Sequence, residues 1–540
     1  MPVILSVNHL LRNLFILIFL FALVAGCQTA SKKNTQASPE KPPLFSLISP
    51  DSSGVGFVNR LTEGLNTNVL MYEYFYNGGG VAAGDLNGDG LDDLYFTANM
   101  ASNKIYLNKG SMKFEDITEK CGAAGRAGPW KTGVNMVDIN GDGRQDLYLC
   151  YSGEVPGTKR TNQLFINEGN DRQGQPRFTE QAAAYGLADS AYSTQAIFLD
   201  YDRDGDLDMF LLNHNPQSLP VLDEVRTKSV LAVGSPMQGV KLYRNDKMKF
   251  HDVTREAKIS SSALTYCLGA GVSDFNNDGW PDIYVSNDYS IPDYIYINNH
   301  DGTFTDRIQQ MMGHFTHFSM GNDVADINND GLPDVITLDM LPESNHRQKL
   351  LFAPDNYEKF DLNLKSGFYY QYMRNMLQLN NGDGSFSEIG QLSGISNTDW
   401  SWSPLLADFD NDGWKDLFVS NGFLRDFTNM DFMKYMGDYL QDNRGNVRRQ
   451  NILDLVGKIP SSDMKSYLFK NDKNLIFSKM SAEWGIKTSS NSNGAAYADL
   501  DNDGDLDLVV NNINSPAFIY RNESKATHYL RIRLKGEGQN

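Results

Sequence analysis

The sequence predicts an all-β fold: a seven-bladed β-propeller with an N-terminal strand closing the last blade and small helical insertions. Three observations carry this reading. A nine-residue motif, D-x-[DN]-x-D-G-x-x-D, occurs seven times, beginning at Asp85, Asp138, Asp200, Asp274, Asp326, Asp408 and Asp499. Each copy is flanked by short apolar runs, GVAAGD before and LYF after in the first case. Two further elements recur downstream, a third after every copy and a fourth after six of the seven, so a unit offers four short β-like runs. Four-stranded units repeated around an axis are propeller blades. The shortest spacing between first aspartates, Asp274 to Asp326, exceeds the ~40–45 residues a blade needs, and the excess falls in loops.

The chain of 540 residues with 41% hydrophobic content can bury a large core. Its formal charge of −19 argues against nucleic acid, which needs a basic footprint, and suits bound cations. At the N-terminus, Leu14 to Ala25 form an apolar run shorter than the ~20 residues of a membrane-spanning helix. That is the length of a signal-peptide core. It ends in Leu23-Val24-Ala25-Gly26-Cys27, which resembles the lipobox of bacterial lipoproteins. The resemblance implies removal of residues 1–26, lipidation of Cys27 and a place at the bacterial cell envelope, at the outer membrane or cell surface. Gln28 gives no signal for inner-membrane retention. Residues 27–43 are polar with prolines and read as a flexible tether.

The third element of each unit ends in asparagine: IYLN at 105–108, LFIN at 164–167, LYRN at 242–245, IYIN at 295–298, LQLN at 377–380, LFKN at 468–471 and FIYRN at 518–522. The fourth begins with phenylalanine, at Phe114, Phe178, Phe250, Phe304, Phe386 and Phe477. No such copy follows Asn522. Its counterpart stands at the front of the domain, as Phe45-Ser46-Leu47-Ile48-Ser49. The N-terminal strand is therefore expected to complete the seventh blade and leave no open edge.

In each motif, side-chain oxygens at positions one, three and five converge, glycine at six permits a sharp turn, position seven offers its carbonyl, and aspartate at nine closes the set. Oxygen-only, flexible coordination suits Ca²⁺ better than Mg²⁺. The first loop would use Asp85, Asn87, Asp89, Leu91 and Asp93. The same spacing gives Asp138, Asn140, Asp142, Arg144 and Asp146, then Asp200, Asp202, Asp204, Asp206 and Asp208. It continues with Asp274, Asn276, Asp278, Trp280 and Asp282, and with Asp326, Asn328, Asp330, Leu332 and Asp334. The last two sets are Asp408, Asp410, Asp412, Trp414 and Asp416, and Asp499, Asp501, Asp503, Asp505 and Asp507. About one ion per blade is expected, with affinities on the order of 10⁻⁴–10⁻³ M. An EF-hand needs an acid at position twelve. Here that position is Phe96, Leu149, Leu211, Val285, Thr337, Val419 and Val510, so the EF-hand reading fails at every copy. Metal-free Asp/Asn/Gly turns are the competing reading. Three or more carboxylates in each of seven loops would then repel one another without neutralisation.

These loops and flanks resemble the FG-GAP/VCBS repeats of integrin-α-type propellers over residues 45–524. The stretch from Tyr76 to Val81 looks like bacterial relatives of cartilage acidic protein. Residues 528–536 look like the start of the ASPIC/UnbV domain that follows the propeller in those relatives, and a truncated form of it is expected at 525–540. The resemblance implies extracellular calcium binding and recognition of a glycan or protein ligand. It implies no established enzymatic activity.

Two intervals hold non-repeat sequence. Residues 339–375 are rich in charge and aromatics, and 421–465 contain helix-like apolar spacing. Tyr369, Tyr370, Tyr372, Arg374 and Arg425 are candidate ligand contacts; the competing reading has helices capping the ring with the tyrosines packed beneath. Catalytic motifs are absent: there is no G-x-S-x-G elbow and no H-E-x-x-H. His314 and His317 read as a packed pair. No general acid or base is nominated, and a calcium-dependent polysaccharide lyase or hydrolase is the alternative to a binding module. Cys121, Cys150 and Cys267 read as buried thiols rather than a disulfide framework, with a Cys121–Cys150 bridge as the alternative that the sequence leaves open.

Overall fold

The computed structural model describes residues 42–218, 223–289, 291–354, 356–524 and 529. The expected signal peptide, Cys27 and nearly all of the expected tether and of the 525–540 segment lie outside the described residues.

Seven four-stranded antiparallel sheets form, each with neighbouring strands in meander order. The first contains Val81–Gly84, Asp93–Phe96, Lys104–Asn108 and Phe114–Asp116. In the seventh, Asn491–Ala498, Asp507–Ile513 and Phe518–Asn522 are joined by Phe45–Ile48, which pairs antiparallel with the last of them. The expected closure is therefore present. The first strands of successive blades touch all the way round, blade seven against blade one included.

The packing explains the apolar runs that follow each motif. Second strands such as Asp146–Tyr151 and Asp282–Asn287 are buried along their whole length. A propeller blade has a neighbour on both faces, so its central strands show no polar side. Seven hydrophobic clusters fill the seven gaps between blades. Phe45 joins the cluster between blades six and seven, and Val55 and Phe57 join the one between seven and one. The N-terminal segment thus spans the closure on both sides.

An eighth cluster lies at the strand ends opposite the aspartate loops. It gathers Trp130 and Trp400, which precede first strands, with Met340 and Phe423, which follow second strands. The segment 59–77 contributes Leu61, Val69, Tyr72, Tyr74, Phe75 and Tyr76. The insertion helices Met430–Asp442 and Arg449–Val456 add Phe432 and Val456. The capping expected of this insertion is thus observed. The 339–375 insertion forms the helices Asn345–Leu351 and Tyr357–Lys365. A further helix, Glu224–Leu231, interrupts blade three where no helix was expected. Cys121, Cys150 and Cys267 are buried free thiols, as read from the sequence. No helix among the described residues is long and apolar enough to cross a membrane.

Candidate metal centres

All seven motifs lie in the loops between first and second strands, and therefore at one end of the ring. Their backbone hydrogen bonds repeat. In the first loop, Asp85 Oδ1 accepts from Asp89 N (3.1 Å) and Oδ2 accepts from Gly90 N (2.9 Å). Asp89 Oδ1 accepts from Leu91 N (3.0 Å). Asp93 Oδ2 accepts from Leu86 N (2.9 Å) and Oδ1 from Asn108 N (2.8 Å). The Asp93-type pair recurs in the other six blades. Each loop is thus held in shape by its own amides.

The position-six glycine has positive φ in every copy, from Gly143 at 84° in the second loop to Gly504 at 95° in the seventh. Position four is left-handed as well, at Gly88, Gly141, Arg203, Asn277, Asn329, Asn411 and Asn502. Glycine and asparagine dominate there because they tolerate that conformation best. Sequence reasoning left position four unassigned, although its G/N composition carried the signal.

The loops crowd carboxyl groups together. Burial pushes the position-nine carboxyls up, to about 7 at Asp93, Asp146, Asp282 and Asp416, about 6 at Asp334, and about 8 at Asp208 and Asp507. In three loops the carboxylates converge: Asp200, Asp202 and Asp208; Asp408, Asp410 and Asp416; Asp499, Asp501 and Asp503. Within each set, one ligand oxygen per residue lies within 4.8 Å of the others. In the same loops, Oδ1 of Asp202, Asp206, Asp410, Asp501 and Asp505 is enclosed and has no hydrogen-bond partner. Asp505 is only 1% exposed. Buried, unpartnered carboxylate oxygens are costly unless a cation meets them. The donor set is all oxygen, and it fits a hard cation of flexible coordination such as Ca²⁺.

The asparagine that ends each third strand has a role the sequence did not disclose. Asn108 Nδ2 donates to Leu500 O (2.7 Å), at position two of the loop in the preceding blade. Asn167 reaches Leu86 O, Asn298 reaches Tyr201 O, Asn380 reaches Phe275 O, Asn471 reaches Ile327 O and Asn522 reaches Phe409 O. Asn245 instead donates to Leu207 O of its own loop. Six loops are therefore tied to their neighbours through one side-chain amide each. The recurring Asn was visible in the sequence, but its partner lies a blade away.

At the capped end the predicted contacts separate. Arg425 forms a bidentate pair with Glu63 (2.6 and 2.7 Å), and Tyr76 OH also donates to Glu63. Tyr370 and Tyr372 are 43% and 40% exposed and lie beside Phe360 of the helix Tyr357–Lys365, not under the cap. His314 and His317 each have a different neighbour beside them. His314 Nε2 is 3.3 Å from Glu388 and 3.2 Å from Arg374, whereas His317 packs on Phe318 and burial pushes its imidazole down to about 4. The axis holds a cavity of about 550 Å³ lined by the first strands, including Asn135, Gln195 and Asn322, and none of its lining side chains ionises.

The FG-GAP-like repeat model matches residues 85–149, 274–337, 368–419 and 451–510. The chain is 21% identical to human cartilage acidic protein 1 over 429 residues, which is 72% of this chain and 61% of that protein. The mouse protein of the same name is 22% identical over 440 residues, 71% of this chain and 63% of that protein. Integrin alpha-4 of Xenopus laevis is 31% identical over 210 residues, 36% of this chain and 19% of the integrin. The chain therefore spans about three-fifths of the length of the cartilage acidic proteins it matches.

Proposed function

We propose that this chain, which is an FG-GAP-repeat β-propeller, works as a calcium-binding recognition module that engages an extracellular glycan or protein at the bacterial cell envelope. One observation carries the reading: seven oxygen-lined loops share one end of the ring, three of them with buried carboxylate oxygens that lack partners. Positions one, three, five and nine would hold the ion with side-chain oxygens and position seven with its carbonyl, as in Asp85, Asn87, Asp89, Asp93 and Leu91. When bound, the ion supplies the positive charge that offsets the crowded carboxylates. The loop amides already set the fold of each hairpin, so the ion's main effect is to stiffen one end of every blade. Lipidation at Cys27 and the polar stretch to residue 43 would hold the ring away from a membrane surface.

Calorimetric titration of the purified protein with CaCl₂ tests the metal, and a glycan and protein array probed with and without calcium tests the ligand. Saturable heats and calcium-dependent array signals are expected; a protein that takes up no calcium ends this reading. Loss of metabolic lipid labelling in Cys27→Ala is the expected result for the anchor.

One observation favours the polysaccharide-active alternative. His314, Tyr372, Arg374 and Glu388 come together, with Arg374 over the Tyr372 ring at 5.2 Å and His314 edge-on to it at 5.3 Å. The group sits at the outer strand Phe386–Glu388 of blade five, away from the axial cavity. Reproducible cleavage of an acidic glycan, abolished in Tyr372→Phe, would establish it over the binding module.

A further inference from the structure

The seven loops are of two kinds, and the difference is matched by a residue outside them. Position three is asparagine in blades one, two, four and five (Asn87, Asn140, Asn276, Asn328) and aspartate in blades three, six and seven (Asp202, Asp410, Asp501). The residue just before the third-strand asparagine is aliphatic in the first group: Leu107, Ile166, Ile297 and Leu379. In the second group it is a cation: Arg244, Lys470 and Arg521. The match holds in all seven blades.

The geometry gives this match a cause. In three asparagine loops the position-three amide donates to the position-five carboxylate: Asn87 to Asp89 Oδ2 (3.0 Å), Asn276 to Asp278 Oδ2 (2.7 Å) and Asn328 to Asp330 Oδ2 (2.8 Å). In blade two Arg144 donates to Asp142 Oδ2 in its place. An aspartate at position three has no N–H to give and adds a negative charge. In blade six Lys470 Nζ enters instead, donating to Asp412 Oδ2 (2.8 Å) and to Asp410 Oδ2. Asp410 Oδ1 remains enclosed and unpartnered, and one carboxylate oxygen of Asp410 lies within 4.8 Å of oxygens of Asp408 and Asp416. The ammonium thus holds one oxygen of Asp410 and leaves the other free. Arg244 and Arg521 stand at the position of Lys470 on their own third strands, one residue before the asparagine, and are held there by Asp246 and Glu523, two residues on.

We infer that Arg244, Lys470 and Arg521 are resident counter-ions that weaken metal binding in the three all-carboxylate loops while keeping those loops folded without metal. The inference rests on the calcium reading and deepens it: the seven sites form two affinity classes, tuned from the third strand.

Lys470 is the sharpest place to test this, because Trp414 at position seven of the same loop can sensitise bound Tb³⁺. The signal is the emission that Trp414→Phe removes, titrated with Tb³⁺ and back-titrated with Ca²⁺ in the full chain. Lys470→Leu is expected to tighten binding at this loop about tenfold or more, because a like charge beside two ligand carboxylates is gone. It should also lower the metal-free melting temperature. Lys470→Arg should keep wild-type affinity. The double variant Asp410→Asn/Lys470→Leu, which installs the pairing of the other four blades, should recover metal-free stability. Should Lys470→Leu not fold, that double variant compared with Asp410→Asn alone reads the same charge effect and should bind more tightly. Unchanged or weaker affinity on removing Lys470 in either background overturns the inference and leaves the calcium reading intact. If the wild-type protein shows no Trp414-dependent emission, the calcium reading itself fails at this blade, and the inference with it.

Discussion

Phe45→Ala should destabilise the entire ring, because Phe45 anchors the strand that closes it. The side chain is 1% exposed and packs edge-on against Phe409 of blade six, with ring centroids 5.9 Å apart. It shares a cluster with Trp484, Leu508 and Tyr520, so it bridges blades six and seven from a strand near the other end of the sequence. Removing a buried phenylalanine from such a site costs about 3–5 kcal/mol, the transfer term plus the cavity. The same strand provides a control. Leu47 faces outward at 39% exposure, and Leu47→Ala should change stability by about 0.5 kcal/mol or less. Both variants keep the backbone pairing of Phe45–Ile48 with Phe518–Asn522. Urea unfolding at fixed calcium, followed by tryptophan fluorescence, measures the difference. Cap tryptophans such as Trp130 and Trp400 should lose structure together with Trp484, since an opened ring has no intact neighbour to hold either group. Equal midpoints for the two variants would refute the closure argument.

Three further outcomes follow from the geometry. Asn298→Ala removes the donor to Tyr201 O (2.8 Å) in the preceding blade and strands a buried carbonyl, so unfolding should be easier by about 1–3 kcal/mol; a neutral result in urea titration would mean the inter-blade amide tie is dispensable. Chelation with EGTA should lower the melting temperature and added CaCl₂ should restore it, each independent site contributing about 2.7 kcal/mol when calcium is at 100 times its Kd; a chelator-insensitive melt counts against the metal reading. Burial pushes the Lys131 ammonium, 1% exposed and donating to Ala101 O and Gly128 O, down to about 8. Between pH 8 and about 10.5 the unfolded chain therefore binds the extra proton, and stability relative to Lys131→Met should rise with pH across that window by about 3 kcal/mol. A flat difference between the two proteins would show that Lys131 is solvated.

What could be read in advance was whatever repeats locally. The motif at Asp85 and its six companions, the apolar runs and the Phe-led fourth strands are contiguous signals, and each copy checks the others. Even the closure was readable, because a missing Phe-led copy after Asn522 had to be supplied by Phe45. Contacts that join distant segments were hidden. Asn298 and Tyr201 O meet only after the chain has passed through more than a whole blade, and nothing local at either residue announces the partner. The segment 59–77 has no strand or helix period, yet it places Tyr72, Phe75 and Tyr76 over the axis end. Its order comes from the aromatic floor built by Trp130, Trp400 and Phe423, three blade connections that no sequence window contains together. The pairing of Arg425 with Glu63 is hidden for the same reason, and it turns a candidate ligand contact into part of the cap.

The two ends of the ring differ in what they can offer a ligand. At the capped end, charged groups are largely spent on each other: Glu63 with Arg425, and Arg347 with both Asp399 and Asp426. The aromatic cluster beneath them occupies the strand ends, and the axial cavity presents amides and apolar groups with no ionisable side chain. At the loop end, oxygens converge and any bound cation would be close to solvent, since positions such as Asp89, Asp278 and Asp412 are exposed. Recognition that requires calcium must therefore act at the loop end, through the ions or through hairpins they stiffen. Recognition that survives chelation points instead to the rim of blade five, where Tyr370 and Tyr372 are half-exposed and Arg374 lies over the Tyr372 ring. The calcium dependence of ligand binding thus locates the contact surface before any ligand is identified, and charge reversal at Arg374 should matter only in the second case.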